Sequence, residues 1–326
     1  MDNFLPHQDP LSQHIQEKSA DLYGRLMQLS TGSLGMPEHC LAYYQSSHSK
    51  RLFFSIETSA RLLYRCIMLS RKITEELVVM DYGAGVGTLY LLAKMIGCKK
   101  VLYNDHLDDW RISAQLIAEA IGVNIDEYIV GDITDCLNRL KQENIACDII
   151  TSRNVVEHIY KLNHFFTSVH ELQPGAIVYS STTANYLNPA SRIKHYLWHK
   201  KWEKVYRQNR VIIIKREAPG ISEDKINLLA GATRGLAADD LSEAISSFLL
   251  SGKMPDTSVY RSNTCDPSNG VWAEHMLKPS EYREQINEKN FTVSFEPGFW
   301  DTHYSKNYKN AAGKYFNKII CTVPGE

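Results

Sequence analysis

An apolar run, Val78-Val-Met-Asp-Tyr82, breaks directly into glycines at alternate positions, Gly83, Gly85 and Gly87. That pattern reads as a buried strand turning sharply into a helix. Glycine is needed where the backbone takes positive φ, or where a ligand lies against a chain with no Cβ in the way. The helix that follows would offer unpaired N–H groups to an anion. The turn is therefore read as a cradle for a cofactor. A dinucleotide fingerprint needs a third glycine three residues after the second, at position 88, where this chain has Thr88. The spacing argues against a pyrophosphate cofactor.

Downstream of the turn, short apolar segments alternate with helical ones. Strands are predicted at 77–82, 100–104, 127–131, 147–152 and 176–181, with helices near 88–97, 107–121, 135–142 and 161–171. Such alternation predicts right-handed βαβ units in a doubly wound α/β fold. In such sheets ligands bind outside the carboxyl ends of the strands. Asp81, Asp105, Asp132, Arg153 and Asn154 are therefore expected to converge on one edge. Ahead of the sheet, Leu52–Met68 has helical spacing and predicts an N-terminal helical extension over 1–74, with the core over 75–185. The rhythm then lapses, and 222–236 and 239–251 read as amphipathic helices of an insertion over 186–277. It resumes over 278–326 with a helix at 278–286 and strands at 291–295 and 318–323.

Four ordered blocks resemble the class I S-adenosylmethionine-dependent methyltransferases. Asp81 with its alternating glycines resembles their first motif, Val101-Leu-Tyr-Asn-Asp105 the second strand with its acid, and Tyr128-Ile-Val-Gly-Asp-Ile133 the third. Cys147–Ile159 resembles the fourth strand and the Glu-His helix start of the subgroup that includes the ubiquinone-biosynthesis O-methyltransferases. The resemblance covers residues 75–185 well and the last fifty weakly. It implies a mostly parallel, seven-stranded Rossmann-like sheet with an antiparallel last strand, and S-adenosylmethionine as cofactor. By that resemblance Gly83, Gly85 and Gly87 form the cradle and Asp81 faces the cofactor's amino group. Asp105 takes the ribose diol with its two acceptor oxygens, with His106 beside it. Asp132 and Ile133 hold the adenine, and Arg153 and Asn154 complete the cofactor site. His158, with Glu157, is the candidate catalytic base, since an imidazole titrates near neutrality. The residues alone leave other readings open: a helix N-cap for Asp105, a loop cap for Asp132, and a purely structural helix start for Glu157 and His158. Some relatives hold a divalent metal with Glu-x-x-Glu-His. Here Asn154, a weaker ligand, stands first, so no metal is expected.

Absences narrow the chemistry that the resemblance implies. Ser152-Arg-Asn-Val stands where enzymes methylating adenine or glutamine amides carry an Asn- or Asp-Pro-Pro-aromatic stretch. No Pro-Cys nucleophile or cysteine triplet is present either. Small-molecule O-methylation becomes the leading expectation, with N- and C-methylation open. A methyltransferase-like binding or sensor protein and an RNA-modifying enzyme are the alternatives.

Charge gives no global pull toward nucleic acid: 36 Lys and Arg balance 37 Asp and Glu, for a formal −1. The N-terminus lacks a basic start before an apolar core, and no apolar run approaches the ~18 residues of a membrane span. A cytoplasmic protein with a small-molecule substrate, anionic or aromatic, is expected. Seven scattered cysteines without metal-finger spacing read as buried thiols. Residues 192–210 interleave basic and aromatic side chains. They read as a solvated basic face, a cap over a substrate, or a surface for membrane or RNA. Tyr43, Tyr44 and His48 are further candidates to line the cleft.

Overall fold

The computed structural model describes residues 4–5, 9–257, 260, 262–286, 290–304 and 306–320, the last three of these by backbone alone. The chain divides into two compact units. The first comprises 1–153, 165–181 and 287–326, and the second 154–164 and 182–286.

The first unit is built on a parallel sheet of strands β1 (Val78–Tyr82), β2 (Lys100–Asp105), β3 (Glu127–Val130), β4 (Ile149–Arg153) and β5 (Ile177–Ser181), in the order β3-β2-β1-β4-β5. These are the five strands expected, each within two residues of its predicted ends. Asp81 pairs in register with Tyr103 on β2 and Thr151 on β4. The order reverses between β1 and β4, which makes the crevice beyond their carboxyl ends the topological switch point. Helices α4 (Leu89–Met95), α5 (Asp108–Ala120), α6 (Ile133–Gln142) and α7 (Leu162–Leu172) make the crossovers. The unit boundary falls within α7.

Strand alternation assigns each side chain of β1 to a face. Val79 joins the large core with Ile15 and Leu22 of α1 (Pro10–Met27), Ile56 and Leu63 of α3 (Leu52–Ser70), and Leu89 and Leu92. Each of these is at most 1% exposed. Met80 faces the other way, its sulfur 3.9 Å from Cys136 Sγ of α6. The N-terminal helices therefore supply core. Fully burying each such Leu or Ile contributes about 1.5–3 kcal/mol. Asp9 caps α1 by accepting from Ser12 N at 3.0 Å, and the Tyr64 hydroxyl of α3 donates to the same carboxylate at 2.8 Å. Between these helices lie α2 (Glu38–Tyr43) and one turn of π-helix at Tyr44–His48. The six described cysteines are free and buried.

The seven-stranded expectation is corrected to five strands among the described residues. Phe291–Phe295 alternates half-buried and exposed as a strand would, yet forms no ladder. It belongs to a segment tied down by side chains instead: Glu296 to Arg65 at 2.6 Å and to the Tyr179 hydroxyl at 2.7 Å, and Asp301 to Arg51 at 3.2 Å. The expected strand at 318–323 begins inside a helix, α12 (Asn307–Ile320), and its remainder lies outside the described residues. Tyr308, Ala311, Ala312, Tyr315, Phe316 and Ile319 recur at helical spacing, which outweighs the β-branched Ile319-Ile320.

The second unit is helical. Its longest element is α8 (Pro189–Glu217), 29 residues and about 43 Å long. It is followed by α9 (Glu223–Ala232), α10 (Ala238–Ser251) and α11 (Pro279–Ile286). Asn188 caps α8, accepting from Ala190 and Ser191, with Pro189 in the first turn. Ile214, Ile226, Leu229, Leu241 and Phe248 form the unit's main core. Arg210 is fully buried, donating to Ala230 O at 2.9 Å and paired with Glu203 at 2.5 Å. Among the described residues no helix is long and apolar enough to cross a membrane.

Candidate functional site

Within the first unit the switch point gathers the glycine turn, Asp81, Asp105 and Arg153. Gly83 and Gly85 take φ of +64° and +51°, a region costly for any residue with a Cβ. At Gly87 an added Cβ would lie 2.7 Å from Ala84 O. The positive-φ argument made from the sequence is thus visible as geometry at Gly83 and Gly85, whereas at Gly87 the close approach is that of the turn's own backbone. Thr88, which stands where a dinucleotide motif needs glycine, is fully buried. Its hydroxyl bonds Ser55 and Ser59 of α3 at 3.0 and 2.9 Å. The position that separates this turn from a dinucleotide site fastens the N-terminal helices to it.

Asp105 ends β2 and lies against that turn. Its Oδ2 accepts from Gly85 N at 3.0 Å and its Oδ1 from Leu107 N at 3.1 Å. Each oxygen keeps further acceptor capacity. The exposed His106 ring reaches the same carboxylate at 3.3 Å, and that hydrogen bond raises the imidazole above its ordinary range. Neighbouring Asn104 is fully buried and donates to Ile129 O and Gly131 O at 3.2 and 3.1 Å, holding the loop after β3. That loop carries Asp132, exposed and capping α6 through a bond from Asp135 N at 2.9 Å, followed by buried Ile133. The capping reading of Asp132 is therefore met in the structure.

Asp81 is 3% exposed and accepts from Tyr90 N at 3.0 Å. One N–H expected to be open to an anion at the start of α4 is thus already taken. Burial pushes the Asp81 carboxyl up to about 7, against the pull of that N–H and of Arg153. The Arg153 guanidinium lies 3.9 Å from where a Cβ on Gly87 would be. Desolvation lowers its affinity for a proton while Asp81 and Tyr43 raise it. No ion pair within 4 Å joins Arg153 to a described carboxylate, so the cation stands beside the glycines without a direct counter-charge. The π-turn faces the same group: His48 is pushed down to about 3 by burial and then by Arg153. The Tyr44 and His48 rings lie 5.2 Å apart and tilted by 36°, and the Tyr44 hydroxyl and His48 Nε2 are buried without hydrogen-bond partners among the described residues. π-turns are frequent at functional sites.

The remaining candidates belong to the second unit. Asn154 is exposed at φ +57°, and its side chain accepts from Thr183 N at 3.1 Å. Glu157 is 1% exposed, and neither of its carboxylate oxygens makes a well-formed hydrogen bond among the described residues. Burial pushes its carboxyl up to about 8, the smaller pulls of its own backbone, Thr182 and Thr183 notwithstanding. His158 Nδ1 lies 2.7 Å from Trp272 O. Because a carbonyl only accepts, that nitrogen carries the proton and Nε2 keeps its lone pair. Two backbone bonds fasten the same turn: His275 N to Glu157 O at 2.7 Å and Trp272 N to His158 O at 3.2 Å. Glu274 in that strap meets His195 at 2.6 Å, and its carbonyl meets His199 at 2.9 Å. Among the described residues no group of three or more His, Cys, Asp or Glu is arranged to hold a metal ion.

Residues that the sequence alone did not single out are Ser55, Ser59, Tyr90 and Asn104, and Thr88 stood out only as a missing glycine. They act through contacts across the chain and carry no local signature.

No family model and no curated protein matches the chain. Solved structures overlap it in part. One is the ribosomal protein L11 methylase from Lactobacillus delbrueckii subsp. bulgaricus: 21% identity, 36% of this chain, 58% of that one, TM-score 0.28. Another is an S-adenosylmethionine-dependent methyltransferase from Clostridium acetobutylicum: 14% identity, 43% of this chain, 56% of that one, TM-score 0.34. The chain thus spans less than two thirds of either protein's length.

Proposed function

We propose that the protein is an S-adenosylmethionine-dependent methyltransferase acting on oxygen of a small or medium-sized acceptor. One observation carries the reading: Asp81 and an Arg153 that pairs directly with no described carboxylate flank the same glycine turn, one strand from the Asp105 carboxylate. A buried anion and a nearby cation complement the ammonium and carboxylate of an amino acid. The Asp105 oxygens complement a ribose diol, and Gly85 leaves open space where a Cβ would stand. The unpartnered Tyr44 hydroxyl and His48 imidazole give the carboxylate end further donors. A pyrophosphate, by contrast, would meet the carboxylates of Asp81 and Asp105.

Bound S-adenosylmethionine supplies an electrophilic methyl group on a sulfonium. The protein's own tasks are then alignment and proton removal. We assign the cradle to Gly83, Gly85 and Gly87, the ribose to Asp105 with His106 beside it, and the adenine to Asp132 and Ile133. Arg153 completes the cofactor site. His158 is the base: its Nδ1–H is held by Trp272 O, so Nε2 is the atom that takes the acceptor's hydroxyl proton. Glu157, kept protonated by burial, offers a hydrogen-bond donor rather than a charge.

Calorimetric titration with S-adenosylmethionine tests the reading, with Asp105→Ala as the control. Saturable binding that falls by about 10–100-fold in the variant is expected, the loss of hydrogen bonds to a charged acceptor. Equal binding by wild type and variant, or preference for NAD, refutes it. A screen of hydroxyl-bearing acceptors then tests turnover. Binding without transfer to any acceptor would leave a binding or sensor protein.

A further inference from the structure

We infer that the outer face of α8 is a docking surface for an anionic lipid bilayer. At about 100° per residue, Ile193, Lys204, Leu197, Lys201, Lys194 and Ile212 fall within roughly 100° of arc. The aliphatic members are strongly exposed: Ile193 66%, Leu197 61% and Ile212 66%. Leu187, just ahead of the helix, is also 66% exposed. Lys194, Lys201 and Lys204 make no ion pair with any described carboxylate. The helix's own acids, Glu203 and Glu217, lie on the opposite side and are matched by Arg210 and Arg216. Only at the C-terminal end is a lysine of this face, Lys215, paired, to Glu223 at 2.7 Å. His195, His199, Arg210 and Ile214 fill the buried side, so the helix is anchored and its outer face is left over.

Charge and shape together select the partner. A second copy of the chain placed symmetrically on this face would set lysines against lysines. A nucleic acid would match the charge, but the centre of the face is aliphatic, and the exposed ring at its border, Trp198, already lies under the Lys194 ammonium rather than open to a base. A bilayer with anionic headgroups meets both halves of the pattern. Isoleucine and leucine enter the acyl boundary while the lysine stems run along it and their ammonium groups reach the phosphates. The face lies outside the proposed cofactor site, so the two readings stand or fall separately.

Flotation of the full chain with phosphatidylcholine vesicles, with and without phosphatidylglycerol, tests the inference. The wild type is expected to float only with the anionic vesicles and to be released at ~0.5 M salt. The pair Lys201→Glu and Lys204→Glu should lower vesicle affinity by about 30-fold or more, in line with the worth of each lysine at such a surface, and Leu197→Glu separately by about tenfold through the loss of its apolar insertion. Both variants should keep wild-type affinity for S-adenosylmethionine, so failure of the cofactor reading would appear in a different measurement. The inference is overturned if the wild type ignores both vesicles, floats equally with neutral ones, or is unaffected by Leu197→Glu. It is equally overturned if a single-stranded RNA probe or self-association, rather than vesicles, responds to these substitutions.

Discussion

Replacing Asp81 by Asn separates what this residue costs the fold from what it does for a ligand. The side chain is 3% exposed, and burial moves its carboxyl from an ordinary 3.8 to about 7. A group whose folded pKa is raised binds its proton more tightly when folded. Its contribution is therefore fully present below pH 3.8 and is lost as pH rises through 7. Ionising it costs about 4 kcal/mol at most above pH 7 and about 1.5 kcal/mol at pH 5. Asparagine keeps an oxygen to accept from Tyr90 N and has no proton to lose. Asp81→Asn should accordingly match wild type near pH 4 in urea denaturation and gain stability progressively up to pH 7.5, by at most about 4 kcal/mol. The same substitution should weaken S-adenosylmethionine binding by about 10–100-fold, the worth of a charge-assisted hydrogen bond to the ammonium group. A cation bound beside Asp81 also draws its proton off. Wild-type binding below pH 7 should therefore release protons, seen as a buffer-dependent calorimetric enthalpy that the variant lacks. A variant no more stable than wild type at pH 8, or a stability difference flat with pH, refutes the buried-carboxyl argument. Unchanged affinity with no proton release refutes the ligand assignment alone.

Arg153→Met should keep the fold, since it removes a desolvated cation with no direct ion-pair partner among the described residues, and should lower S-adenosylmethionine affinity by about 10–100-fold in the same calorimetry. His158→Ala should leave that affinity unchanged and lower turnover by about 10²–10⁴-fold, measured by methyl transfer at saturating cofactor. Normal turnover would remove His158 from the base role. Leu22→Ala, at a fully buried position of α1, should cost about 2–5 kcal/mol in urea denaturation. A cost below 1 kcal/mol would mean that the N-terminal helix is an appendage rather than core.

The parallel sheet was legible because its signals are local. Each strand is a short run with apolar residues, the central β1, β2 and β4 buried nearly throughout, and glycine closes β1 after Tyr82 and β3 after Val130. The C-terminal segment misled for the complementary reason. Phe291–Phe295 carries the period of a strand, but a ladder needs an available neighbour, and Glu296 and Asp301 are held by Arg65 and Arg51 instead. A period of two is a statement about burial, and only pairing turns it into a strand. Helix α8 was read only as a mixed basic and aromatic stretch because apolar residues stand on both its sides. His195, His199 and Arg210 face inward while Ile193, Leu197 and Ile212 face out, so its helical period is blurred in the sequence.

The same division runs through the candidate site. Glycine positions and strand-ending acids are specified by spacing along the chain, and Gly83, Gly85, Asp81 and Asp105 meet at the switch point as their spacing predicts. What tunes them is not local. Thr88 is held by hydroxyls 33 and 29 residues earlier, and Asp81 is answered by a guanidinium 72 positions later. Polar residues that act across such distances leave no period to read. Tyr44 and His48 show how far the sequence reaches: their type made them candidates, but only the π-turn shows that their polar atoms are buried and unspent. An unsatisfied buried hydroxyl and imidazole each cost about 1–3 kcal/mol. A fold that carries both beside a cation paired directly with no described carboxylate loses stability in the free state and regains it when an anionic group arrives. The affinity of this site for a carboxylate-bearing ligand should therefore depend on Tyr44 and His48 as well as on Arg153.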